Sequence, residues 1–270
     1  MVLLAYILSG LSLLMSGLLL VRAKIPFLFL LMFPLLAGAL SPYWAVIGGL
    51  GVVLGLIYET YWAVVMGVVG TILMILYVRG STKGHKEFEN AFGSNWAEQI
   101  PTDQFKNMIQ KRWSWVVKMK TSPKPSWERD VPFWTIPDTD RQLLCDIWQP
   151  ADGNGSGLVY IFLHGSAWAV MDKDMGTRSF FSHLTAQGHT VMDIAYRLIP
   201  ETDIYGMVGD AKRAVAWIKA NADQYGINPE KIVLGGGSAG GHVALLAGYT
   251  PDHPKLTPDD LIGVDVSVCG

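Results

Sequence analysis

Charge is what the first part of this sequence lacks. Of 270 residues 16% are charged and 50% hydrophobic, and the shortage is local: over residues 1–78 the only ionised side chains are Arg22, Lys24 and Glu59. Such a stretch has no polar outer face to offer water. Cysteine is scarce as well. Cys145 and Cys269 are too few for a disulfide framework or a thiolate metal site, and they read as two buried thiols. Neither sign of charge is in excess, with a formal net charge of −2. There is no basic stripe of the kind that follows phosphates, which argues against nucleic acid as a partner.

What is there instead is a series of apolar runs. Residues 2–21 supply about the ~20 residues that a helix needs to cross a bilayer. Residues 25–40 form a second run, interrupted by Pro26 and Pro34, and residues 43–58 and 61–78 form two more. We read residues 1–78 as an all-helical membrane segment of three or four spans, four being preferred. A re-entrant hairpin is the alternative, because the middle runs are short. A cleavable signal peptide fits poorly, since no Lys or Arg precedes the first run and further runs follow. Ion pathways usually place ionisable groups at membrane depth. Here only Glu59 qualifies, beside Thr60 in an expected loop, so the segment reads as an anchor. Gly48, Gly49, Gly51, Gly55, Gly67 and Gly70 read as sites of close helix packing. The Arg79/Lys83/Lys86 cluster outnumbers Arg22/Lys24 and favours a multi-pass protein with its polar part in the cytoplasm.

Residues 79–130 form a polar connector rich in tryptophan. Phe105, Met108, Ile109, Arg112 and Val116 recur at helical spacing, and basic residues alternate with Trp113 and Trp115. This helix could lie among lipid headgroups, fold back as a lid, or pack on the domain that follows. Residues 122–126 read as an extended linker.

Residues 131–270 alternate between strand and helix patterns. Strands are expected at 133–137, 143–149, 158–163, 190–195, 231–235 and 264–268, and helices at 177–187 and 207–224. The run 158–163 is continuously apolar, as in a strand buried on both faces. Alternation of this kind predicts a mostly parallel sheet of about six strands covered by helices, an α/β architecture.

Three motifs carry chemistry. Gly236-Gly237-Ser238-Ala239-Gly240 follows an apolar strand and opens a helical run, the strand–turn–helix context of a G-x-S-x-G nucleophile elbow. His164-Gly165-Ser166-Ala167-Trp168 ends an earlier strand, and Tyr196-Arg197-Leu198-Ile199-Pro200-Glu201 ends the next. Taken in order, the trio resembles the loop, Tyr-Arg-Leu segment and elbow of the hormone-sensitive-lipase-like carboxylesterases, which have the α/β-hydrolase fold. The resemblance covers roughly residues 133–270. It implies a serine hydrolase acting on carboxylic esters, with Ser238 as catalytic nucleophile. The backbone N–H groups of Ser166, Ala167 and Ala239 would form the oxyanion hole. His164, Gly165, Gly236 and Gly240 would shape the motifs, His164 holding its loop rather than moving protons. No metal and no organic cofactor are implied.

The sequence departs from the family at three places. Ser166 and Ala167 replace glycines, and Gly237 replaces an aspartate. In this fold the triad acid and histidine follow the serine on later strands. Of the six histidines, His242 lies one helical turn past Ser238 and His253 in a loop, and neither occupies the family's place for a base. The expectation is therefore a C-terminally truncated hydrolase. Its last strand, 264–268, would form a bare sheet edge that invites self-association. The partners expected are an ester substrate, lipid-like or small, and the bilayer. Two other readings compete: an inactive membrane protein with a truncated hydrolase domain, and a dinucleotide-binding protein using Gly235, Gly237 and Gly240 as G-x-G-x-x-G.

Overall fold

A computed structural model describes residues 1–20, 28–83, 86–102, 124–151, 153, 155–165 and 167–270. The connector helix expected around residues 105–116 lies outside them, as does Ser166. The described residues fall into two units, one of residues 1–100 and one of 101–102 and 124–270.

The first unit is helical: α1 (Val2–Leu20), α2 (Leu28–Ala39), α3 (Ser41–Ile57), α4 (Tyr61–Thr82) and the short α5 (Lys86–Phe92). α1 and α4 are each long and apolar enough to cross a membrane. α2 and α3 are bent by 75° at their junction and count as a third crossing only when taken together. Among the described residues, therefore, two helices, or three segments when the bent pair is taken as one, fit a crossing by length and composition, beside the four spans preferred from the sequence. α1 packs on α3 and α4 through small residues. A Cβ at Gly51 would fall 2.4 Å from the Ser9 hydroxyl, and one at Gly70 would fall 2.8 Å from the Leu13 nitrogen. Gly49 faces open space and is not such a contact.

The second unit is a mixed sheet with helices on both faces. Its strands are β1 (Ser126–Thr135), β2 (Gln142–Gln149), β3 (Val159–Leu163), β4 (Thr190–Ile194) and β5 (Ile232–Gly236), in the order β1-β2-β4-β3-β5. β3 runs parallel to β4 and β5, while β1 and β2 are antiparallel to their neighbours. The helices are α6 (Arg178–Ala186), α7 (Ile204–Ala220), α8 (Ala222–Tyr225) and α9 (Ala239–Tyr249). Period-2 alternation sends Val159, Ile161 and Leu163 to one face, where Val208, Ala211 and Val215 of α7 and Val243 of α9 cover them. Tyr160 and Phe162 go to the other face, with Trp148 and Phe181 of α6. α7 starts at Ile204, earlier than the pattern suggested, because Asp203 caps it by accepting the Gly206 N–H at 3.0 Å.

The sixth strand expected at 264–268 is not formed. Asp265 instead accepts the N–H and the hydroxyl of Ser267, at 3.0 and 2.6 Å, and bonds Lys219. Such local bonds compete with a strand ladder. The chain reaches the outer edge of β5 only at its last residues: Cys269 N–H donates to Ile232 O and Leu234 N–H to Gly270 O, each at 2.9 Å. Cys145 is buried as expected, and its burial pushes the thiol pKa up. Cys269 is exposed, contrary to expectation, because it sits on that outer edge.

Candidate active site

The apolar strand β5 ends in glycines for a steric reason. A Cβ at Gly236 would stand 2.4 Å from the Leu163 carbonyl, and one at Gly240 would stand 2.1 Å from the same oxygen. The end of β3 therefore lies directly against the elbow. Ser238 is exposed and takes φ 49° and ψ −117°, a left-handed conformation that costs a non-glycine residue on the order of 1–3 kcal/mol. Ala239 is the first residue of α9, and among the described residues no acceptor takes its N–H. Positive charge of the helix dipole gathers at that end.

The turn after β3 meets the elbow. A Cβ at Gly165 would lie 3.1 Å from the Gly237 carbonyl and 3.5 Å from the Ser238 Cβ. Ala167 and Trp168 are both left-handed, at φ 46° and 63°. Alanine thus stands where glycine would be relaxed, at a cost of roughly 1–2 kcal/mol. The side-chain space at Gly237 is open, its nearest neighbour being 4.0 Å away, so the family's aspartate is replaced without a packing constraint.

His164 is 3% exposed. Its ring stacks on Tyr196 at 4.7 Å, and its carbonyl accepts the Tyr196 hydroxyl at 2.8 Å. Burial holds the imidazole pKa below its ordinary value, so the ring stays neutral. The three motifs are tied to one another. Ile199 N–H donates to Trp168 O at 2.8 Å, and the Trp168 indole N–H donates to His242 Nδ1 at 3.3 Å, edge-on at 90°. His253 Nδ1 accepts the Lys255 N–H at 3.2 Å in a local turn. Among the described residues no imidazole is hydrogen-bonded to the Ser238 hydroxyl.

Sequence reasoning missed what holds the Tyr-Arg-Leu segment. Asp210 of α7 is fully buried and accepts from Arg197 Nε at 2.9 Å, Arg197 Nη2 at 2.7 Å and Arg197 N–H at 3.0 Å. Arg213 joins it at 3.2 Å and forks onto Asp260 at 2.8 and 2.7 Å. Both guanidinium groups lie over Trp134, at 5.1 and 3.7 Å. The hydrogen bond to Asp210 raises the Arg197 pKa, and that from Arg213 lowers the Asp260 pKa. The one available signal was an aspartate inside the apolar stripe of the 207–224 helix.

The dinucleotide reading fails on packing. The Tyr160 hydroxyl stands 2.1 Å from where a Gly235 Cβ would be, and the β3 backbone fills the space beside Gly240. Gly235 and Gly240 thus serve internal contacts rather than the close approach of a pyrophosphate.

Comparison with known proteins finds similarity in the same part of the chain. Residues 145–262 match the BD-FAE family. A protein of Mycobacterium tuberculosis named "Probable carboxylic ester hydrolase LipM" is 37% identical over 115 residues, which are 42% of this chain and 27% of that protein. "Esterase LipC" of the same organism is 36% identical over 132 residues, 48% of this chain and 32% of its own. The chain thus spans about a quarter to a third of the length of these relatives. Esterase 2 of Thermogutta terrifontis is similar in structure over 54% of this chain and 55% of its own, at 24% identity and a TM-score of 0.46. The stretch that carries the three motifs is thus similar to the BD-FAE family and to these carboxylic ester hydrolases.

Proposed function

We propose that the chain is a membrane-anchored serine hydrolase that cleaves carboxylic esters through an acyl-enzyme on Ser238. The observation that carries this is the strained, exposed serine at the head of α9, packed against the turn that follows β3. Ser238 Oγ attacks the ester carbonyl carbon and the carbonyl electron pair moves to oxygen. The N–H groups of Ala167 and Ala239, with that of Ser166, receive the oxyanion. The serine proton goes to a base and the tetrahedral intermediate expels the alcohol. Water then attacks the acyl-enzyme and releases the acid. His242 is engaged by Trp168 and His253 by its own turn, so the base is assigned to neither.

The apolar helices α1 and α4 support the anchor and a multi-pass location, and through the anchor a lipid-like ester; the Arg79/Lys83/Lys86 cluster favours the cytoplasmic side for the hydrolase unit. A second reading, an inactive membrane protein with a hydrolase-like domain, is favoured by the absence, among the described residues, of an imidazole hydrogen-bonded to Ser238.

Hydrolysis of nitrophenyl esters of graded acyl length by the full chain in detergent tests the proposal. Ser238→Ala should fall to the uncatalysed background. Undiminished turnover by that variant overturns the assignment.

A further inference from the structure

Two aspartates lie side by side in the middle of the sheet. Asp146 of β2 and Asp193 of β4 are cross-strand partners, and both are fully buried on the face that α6 covers. Burying two carboxylates together is costly unless each is paired. Their partners come from the segment that leaves the turn after β3. Lys173 Nζ bonds Asp146 Oδ1 at 2.6 Å and Asp130 Oδ1 at 2.6 Å, with its side chain 8% exposed. Asp174 N–H donates to Asp193 Oδ2 at 2.7 Å. Asp146 is completed by the Trp127 indole at 3.1 Å and the Asp130 N–H at 3.0 Å. Burial opposes the charge on Lys173, but its hydrogen bonds to Asp130 and Asp146 outweigh that and its pKa rises, so it stays cationic.

The segment so tied is strained along its length. Ala167, Trp168, Met171 and Asp174 are all left-handed, at φ 46°, 63°, 77° and 61°. Each is a conformation that a free loop would leave. Trp168 fastens the near end through Ile199 and His242. The far end is fastened by Lys173 and Asp174, with Asp174 further gripped by Arg178 at 2.6 and 2.5 Å.

We infer that Lys173 is a positioning residue of the oxyanion turn: its bond to Asp146 clamps the left-handed segment 167–174 to the sheet and so fixes the Ala167 N–H beside Ser238. This rests on the esterase reading for its catalytic consequence, and on geometry alone for the clamp. Lys173 touches no reacting atom. It acts by holding a strained backbone that otherwise relaxes.

The experiment compares Lys173→Met, Lys173→Arg and the double variant Lys173→Met with Asp146→Asn in the full chain. The double variant removes the buried unpaired carboxylate that could unfold the single one. Two readouts are taken: amide hydrogen exchange over residues 167–176, and ester turnover with fluorophosphonate inactivation at Ser238. The clamp predicts faster exchange in 167–176 in both Met-containing proteins while β3 and β5 stay protected. It also predicts about a tenfold or greater loss in kcat and inactivation rate at unchanged KM, as for a displaced oxyanion donor. Lys173→Arg restores most of both. Unchanged exchange in the double variant overturns the clamp, and faster exchange with unchanged kcat overturns the positioning role. A parent protein that neither turns over ester nor reacts with the probe counts against the esterase reading instead, and loop exchange then decides the clamp by itself.

Discussion

Asp193→Asn should change how stability depends on pH, and the sense of the change follows from the structure. Burial, with Asp146 across the strand, pushes the Asp193 carboxyl up from its ordinary 3.8 to about 7, against the lowering effect of the Asp174 N–H. The folded chain therefore keeps a proton on Asp193 between those values, while the unfolded chain gives it up. Across that window the folded state binds more protons, so raising the pH destabilises it by ~1.4 kcal/mol per unit. Three units give about 4 kcal/mol as an upper figure, fully felt above pH ~7 and absent below pH ~4. The asparagine variant keeps an acceptor for the Asp174 N–H and has no proton to lose. Its amide nitrogen replaces an oxygen, Oδ1, that has no partner among the described residues, a pH-independent cost of ~1–3 kcal/mol. The variant's stability relative to the parent should thus climb by ~2–3 kcal/mol from pH 5 to 8, whatever the offset. Urea titration in detergent, read by pulse proteolysis of the 124–270 unit at four pH values, measures it. A difference that stays flat from pH 5 to 8 refutes the reasoning.

Further outcomes follow from the site's supports. Asp210→Ala leaves Arg197 and Arg213 without their shared buried carboxylate and should cost ~3–5 kcal/mol in the same titration; a loss under ~1 kcal/mol would show that the cluster is not holding the segment. Gly240→Ala drives a methyl to 2.1 Å from the Leu163 carbonyl, so β3 and the elbow must part. Fluorophosphonate reaction should then be lost before the sheet unfolds, and an undiminished rate at parent stability contradicts that close approach.

The second unit was legible wherever one physical signal dominated. The continuous apolar run 158–163 gave β3, and the strand–Gly–Ser–Gly–helix pattern gave the elbow with Ser238 at its bend. What stayed hidden was polar and long-range. Asp146, Asp193 and Asp210 sit in runs that read as apolar core, and their bonds to Lys173, Asp174 and Arg197 span 27, 19 and 13 residues. No local pattern reports such pairing. Residues 264–268 look like a strand by alternation, yet the side chain of Asp265 satisfies Ser267 locally and the ladder does not form. The apolar runs marked the membrane-type helices, but hydropathy does not register the 75° bend between α2 and α3.

The most direct test of the central claim is the site of covalent reaction. Full-length protein in detergent is treated with a fluorophosphonate probe, digested, and the adduct mapped by tandem mass spectrometry. The account predicts one stoichiometric phosphonyl adduct, on Ser238, absent from protein carrying Ser238→Ala. A folded protein that gains no adduct, or gains it at another residue, contradicts it.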